Sequence, residues 1–369
     1  MGNMKKNPKS PYFYRDKPLF GLDIGPSSLK VMQVSQPTAR VNGKIDKLPQ
    51  VIGYGFTSFD RAATEDGVIV QHEVIAQAAR TLFDQHLIGN ITTSRVALAI
   101  PAYRTFTRSL ELPQLDDSEL VKAVELEAEQ YVSMPLEELY LDYEVTLKTT
   151  EKTELFAVAV PKTIVDSYME LAQILGLEPV LIEPTLSSSG RLFSLDSQSD
   201  VPTVIIDFGS RSADISIYDG HILVTGTVQA GGETFTNIIK EQLNVTLAEA
   251  GLIKTRYGLS VSRRQAEIAL ALAPILNQLI KEIKRMMRYH EERYGSERPI
   301  QQIITLGGGA NMPGLSDCLT NILRLAVRHT NPWNYLDYKG LQPPSEADKP
   351  MYATVAGLCL ASPNKAIQR

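Results

Sequence analysis

The chain has 369 residues, 43% apolar and 21% charged, a composition that suits two folded cores or one duplicated architecture and excludes collagen, coiled coil and wholesale disorder. Lys and Arg number 37 against 42 Asp and Glu, and the net charge of −5 gives no general attraction to nucleic acid or anionic lipid. The two cysteines, Cys318 and Cys359, have no Cys or His nearby at metal-ligand spacing, which predicts reduced core residues, and the most apolar stretch, Ile268 to Leu276, is short and interrupted by Pro274, too little for a transmembrane helix.

Residues 1–18 carry five basic side chains and one acid with little to bury, which predicts a disordered basic tail and no signal peptide, hence a cytoplasmic protein. Leu19 to Ile24 is a short apolar run, Gly25-Pro26-Ser27-Ser28 is turn chemistry, and Leu29 to Val34 reads as the returning strand of a hairpin. Val51 to Phe59 predicts a third strand, Val74 to Leu87 a helix with an apolar stripe, and Arg95 to Ile100 a strand. Strands at Thr105 to Leu110, Leu139 to Leu147 and Glu154 to Val160 then form a separate unit around one helix. Asp116 and Glu119 mark the start of that helix as a capping box, and Pro135 ends its pattern. Helices over Lys162 to Leu175 and Thr185 to Leu195, with the strand Pro179 to Ile182 between them, complete a first domain of residues 19–200 whose extra subdomain spans about 105–160.

The opening hairpin then returns. Thr203 to Asp207 is apolar, Gly209-Ser210-Arg211 is a turn, and Ala213 to Tyr218 is a strand, so Asp23-Ile24-Gly25 is echoed half a chain later by Asp207-Phe208-Gly209. The second domain, 201–369, continues with the strand His221 to Gln229, helices from Thr234 and Ser262, the strand Ile303 to Leu306 with Gly307-Gly308-Gly309 behind it, and short helices at Leu315 to Leu323 and Ala353 to Leu360. A Gly-bearing hairpin lets backbone N–H groups approach a phosphate, and a carboxylate ending the preceding strand can hold Mg²⁺ through its waters. Two such hairpins, followed by a glycine run after a third strand, describe a nucleotide clamp.

Asp23-Ile24-Gly25-Pro26-Ser27-Ser28 with Lys30 resembles the first phosphate loop of the actin-like ATPases, Asp207-Phe208-Gly209-Ser210-Arg211 the second, and Gly307-Gly308-Gly309 their adenosine motif. The resemblance implies an α/β fold of two ribonuclease-H-like domains closing on Mg-ATP, with Asp23 and Asp207 facing the metal. It also implies Glu183 of Glu183-Pro184-Thr185 near the attacking water, Gly231, Gly232 and Glu233 beneath the nucleotide, and Glu249 and Lys254 near ribose and adenine. Pro26 departs from the small hydroxyl residue usual at its position and removes an N–H from the first loop, which implies slow turnover.

Within this superfamily, Leu112-Pro113-Gln114-Leu115, the helix end from Glu125 to Pro135, and Leu141-Asp142-Tyr143 resemble the extra subdomain shared by the PilM family of type IV pilus assembly and by FtsA. Membership implies a PilN-like bitopic membrane protein as partner, bound through its N-terminal cytoplasmic peptide in a groove lined by Leu110 to Leu115 and the Leu120 to Tyr131 helix. It further implies contacts with other pilus inner-membrane assembly proteins, self-association, and a place at the inner face of the membrane held by partners without insertion. An FtsA- or MreB-type filament protein and a small-molecule kinase of the same superfamily are the alternative readings.

Overall fold

The computed structural model describes residues 18–35, 40–41, 44–45 and 48–361, so the predicted tail, Pro18 apart, and residues 362–369 lie outside the described residues. The first half is built on β1 (Phe20–Ile24), β2 (Ser28–Val34), β3 (Val51–Ser58), helix α1 (His72–Thr81), β4 (Leu87–Gly89) and β5 (Arg95–Ile100). β1 is apolar on both faces except for Asp23, as a strand covered by helices on each side must be.

The extra unit follows as β6 (Phe106–Pro113), α2 (Asp117–Tyr131), β7 (Leu139–Lys148) and β8 (Lys152–Pro161), an antiparallel sheet of order β6-β8-β7. The capping box of α2 is present, with Asp116 accepting from the Ser118 and Glu119 N–H groups and Glu119 from that of Asp116. Leu120 and Val124 of α2 bury against Leu110, Leu112, Leu155 and Ala157 as the subdomain's own core, while Val121 and Leu126 of the same helix stay exposed.

Helix α3 (Lys162–Ile174), β9 (Glu178–Pro184) and α4 (Thr185–Phe193) return the chain to the first sheet, whose order is β9-β5-β1-β2-β3-β4. The second half has β10 (Thr203–Phe208), β11 (Ala213–Asp219), β12 (His221–Val228), α5 (Gly232–Leu243), α6 (Leu247–Arg256), α7 (Gln265–Tyr294), β13 (Gln302–Leu306), α8 (Leu315–Leu323) and β14 (Ala326–His329). Its sheet order, β12-β11-β10-β13-β14, repeats the order β3-β2-β1-β5-β9 of the first sheet strand for strand, with the same antiparallel and parallel pairings.

The last helix, α9 (Ala353–Cys359), crosses back onto the first half, packing on α4 and β1. Its approach is so close that a Cβ on Gly357 would lie 2.0 Å from the Ser188 carbonyl oxygen. Between the halves Tyr54 meets Trp333 and Tyr352 edge-on at centroid distances of 4.8 and 5.4 Å, and the cluster extends to Met32, Ile205 and Ile304. Cys359 is buried in this seam and Cys318 is half-buried; both are free thiols. α7 continues through Pro274, whose ring stands on the solvent side.

Candidate functional site

Each hairpin closes with one backbone hydrogen bond, Gly25 N–H to Ser28 O at 2.8 Å and Gly209 N–H to Ser212 O at 2.9 Å. The two turns face each other across a cleft between the halves. Its walls include Asp23, Gly25, Pro26, Ser28 and Lys30 from the first hairpin, and Asp207, Gly209, Ser210 and Arg211 from the second. Gly232, Glu233, Lys254, Gly307, Gly308 and Gly309 line it as well.

Gly307 has φ +78°, and a Cβ there would meet Asp207 Oδ1 at 2.4 Å, so neither the backbone conformation nor the space admits another residue. α5 docks on the second turn through Gly232 N–H to Gly209 O (2.9 Å) and Glu233 N–H to Ser210 O (2.8 Å), and Lys254 Nζ donates to Gly232 O at 2.7 Å. Arg61 of the first half forms an ion pair with Glu233 of the second, bridging the two sides.

The electrostatics of the two hairpins differ. Asp23 lies opposite Lys30 in the β1/β2 ladder and is paired with it, Nζ to Oδ2 at 3.0 Å, while Ser28 Oγ also accepts from that ammonium. Asp207 lies opposite Asp214 in the β10/β11 ladder. Burial pushes the Asp207 carboxyl up to about 6, against the hydrogen bond that Ser189 Oγ donates to its Oδ2 at 2.9 Å, and pushes Asp214 up to about 7, against one from Thr227. Lys254 is pushed down, also by burial.

Four of the sequence-predicted residues do not line the cleft. Ser27 turns its carbonyl to the Phe59 N–H, and Gly231 lies behind the second turn, where a Cβ would be 2.3 Å from Ser210 O. Glu249 caps α6, accepting from the Thr246 N–H at 2.9 Å, and that bond holds its carboxylate below the usual range. Glu183 is buried with both oxygens occupied by Arg191, Nη1 at 2.6 Å and Nη2 at 2.5 Å. The carboxylate expected beside an attacking water is thus paired with one guanidinium, one hydrogen bond to each oxygen.

The cleft wall also holds residues that the sequence reading passed over, among them Tyr103, Tyr168, Thr185 and Asp214. The signal for Asp214 was present: it follows Asp207 at the spacing by which Lys30 follows Asp23. Thr185 Oγ1, Ser210 Oγ and Arg211 Nε, in three residues of this wall, are buried without a hydrogen-bond partner. Among the described residues no three His, Cys, Asp or Glu side chains gather closely enough to hold a metal alone, and none of the helices is long and apolar enough to cross a membrane.

The family model for type IV pilus assembly protein PilM matches residues 21–363. The chain belongs to that family. Cell division protein FtsA of Bacillus subtilis (strain 168) is 23% identical to it over 387 residues, 91% of this chain and 81% of its own length. A solved PilM-PilN type IV pilus biogenesis complex matches with TM-score 0.77 and 22% identity, covering 96% of this chain and 100% of that one. MreB5 of Spiroplasma citri bound to AMPPNP matches with TM-score 0.52 and 13% identity over 92% and 94%. The fold is actin-like, as the paired hairpins indicated.

Proposed function

We propose that this PilM-family chain binds Mg-ATP between its halves and uses cleft closure to control how it engages a pilus membrane protein. The observation that carries the reading is the convergence of two glycine turns, two strand-end aspartates and three unsatisfied polar atoms on one cleft. The residues present fit the nucleotide: Lys30, Arg211 and Lys254 supply positive charge for phosphates, and Gly25, Gly209 and the glycine run allow close backbone approach. They fit Mg²⁺ held through water, since Asp23 and Asp207 offer hard oxygens and that ion keeps much of its hydration shell. When bound, the ion would neutralise phosphate charge.

The partner in this reading is a PilN-like bitopic protein whose short N-terminal tail reaches the extra subdomain and ties the chain to the inner face of the membrane. Because the faces of Leu110 and Leu120 are spent on the subdomain core, the docking place shifts to its outer strand. β7 ends the sheet and exposes Tyr140, Val145 and Leu147, where an extended peptide can add backbone hydrogen bonds and seat apolar side chains. The test mixes the protein with a synthetic peptide of that tail and maps hydrogen exchange. Binding at micromolar concentration with protection over residues 139–148 is expected; no binding, or protection confined to residues 201–361, would overturn it.

A further inference from the structure

β6 sends Leu110 and Leu112 into the subdomain core, so Thr107, Ser109 and Glu111 project from the opposite face of the strand. That face meets the second half. The hydroxyls of Thr107 and of Thr225 on β12 share a hydrogen bond, Ser109 donates to the Leu223 carbonyl, and Tyr294 at the end of α7 also reaches Ser109. Charged groups flank these contacts, Glu111 towards Arg293 and both Glu144 and Glu154 towards His221. Among the described residues no apolar cluster joins the subdomain to the second half, whereas Val158 and Val160 of β8 pack into the core of the first. The subdomain is built into one half and only latched to the other. Hydroxyls and charges that exchange water for each other gain little, so such a boundary parts at small cost.

The latch begins at the cleft. β6 follows the turn Ala102–Arg104, which runs beside β12 and whose Tyr103 lines the cleft and lies against Arg211 of the second hairpin. β12 ends at Val228, and from there the chain passes through Ala230 and Gly231 to Gly232 in the same cleft. Tyr103–Arg211, Thr107–Thr225 and Ser109–Leu223 thus form one polar seam that starts at the cleft wall and continues along β6. An anion that draws Arg211 to itself takes away the contact at the cleft end of that seam.

Resting on the nucleotide reading above, we propose that the seam is a releasable latch between the cleft and the extra subdomain: a phosphate group that engages Arg211 frees Tyr103, the Thr107–Thr225 and Ser109–Leu223 contacts part, and the subdomain is then carried by the first half alone. Hydrogen exchange of the full chain with and without Mg-ATP, with calorimetry reporting binding, tests this on wild type and on the double variant Thr107→Val/Ser109→Ala, neither residue of which lines the cleft. In wild type Mg-ATP speeds exchange over residues 106–113 and 221–228 by about threefold or more, within the range of one hydrogen bond. In the variant both strands exchange fast before ligand is added, bound Mg-ATP adds no further change, and unaltered exchange over residues 117–131 shows the subdomain folded. The proposal is overturned if wild type binds Mg-ATP with exchange over these strands unchanged or slowed, if the ligand-free variant exchanges as slowly as wild type, or if the variant still responds to Mg-ATP. Wild type that binds no Mg-ATP would instead remove the nucleotide reading on which the proposal stands.

Discussion

The two hairpins are copies in sequence and register, yet opposite in charge balance. The cross-strand partner of Asp23 is Lys30, and that of Asp207 is Asp214. The first copy neutralises its strand-end carboxylate within the hairpin. The second places two carboxylates across one ladder in a buried wall, where desolvation lifts both. The duplication thus supplies two scaffolds of the same shape, and one side chain at the equivalent position decides whether the strand-end carboxylate faces an ammonium or a second carboxylate. The hairpin with two carboxylates is the one next to the glycine run, where Gly307 and Gly309 approach Asp207 and Phe208.

The largest expected effect comes from breaking the self-sufficient hairpin. Lys30→Met leaves Asp23 buried without its counter-charge and should destabilise the fold by about 3–5 kcal/mol, the usual cost of removing one partner of a buried pair. Denaturant unfolding measures it, and a loss below about 1 kcal/mol would mean that Asp23 is hydrated and the pair incidental.

The reverse change sharpens the contrast in the second hairpin. In the folded chain Asp214 binds its proton more tightly than in the unfolded chain, because burial lifts its carboxyl to about 7. Stability from this group is therefore complete below about pH 4 and is lost as pH rises through about 7. Asp214→Asn should stabilise the cation-free protein by about 4 kcal/mol at pH 8 and by almost nothing near pH 4. Melting curves in a chelator at both pH values check this, and a gap of the opposite sign would show that Asp214 is stabilised as the anion.

The smallest effect lies in the first turn. Pro26 lines the cleft without an N–H, and its carbonyl accepts from Thr64 Oγ1 at 3.0 Å. Pro26→Ser restores a donor and should tighten Mg-ATP up to about tenfold, within the range of one hydrogen bond. Equal affinity in both proteins would make Pro26 neutral.

The hairpins could be read from the sequence because tight turns need Gly and small polar residues, and because duplication offers an internal control. The helix cap of α2 was equally legible, since Asp116 and Glu119 act locally. What escaped depended on distant partners. Glu183 looked available until Arg191, two turns along α4, took both its oxygens. The Leu110 and Leu120 faces looked open because the chain does not announce that they meet. Ala326–His329, a short strand with exposed ends, carries too few apolar residues to stand out, although it completes the second sheet.

In the proposed function a nucleotide and its cation meet Asp207. Calorimetry of Mg-ATP binding to wild type and to Asp207→Ala tests this most directly, with circular dichroism showing that both are folded. The reading requires one site in wild type and a loss of about a hundredfold or more in the variant, since a charged contact to the ion's hydration shell and the Ser189 anchor are removed together. Unchanged affinity in a folded Asp207→Ala protein would contradict it.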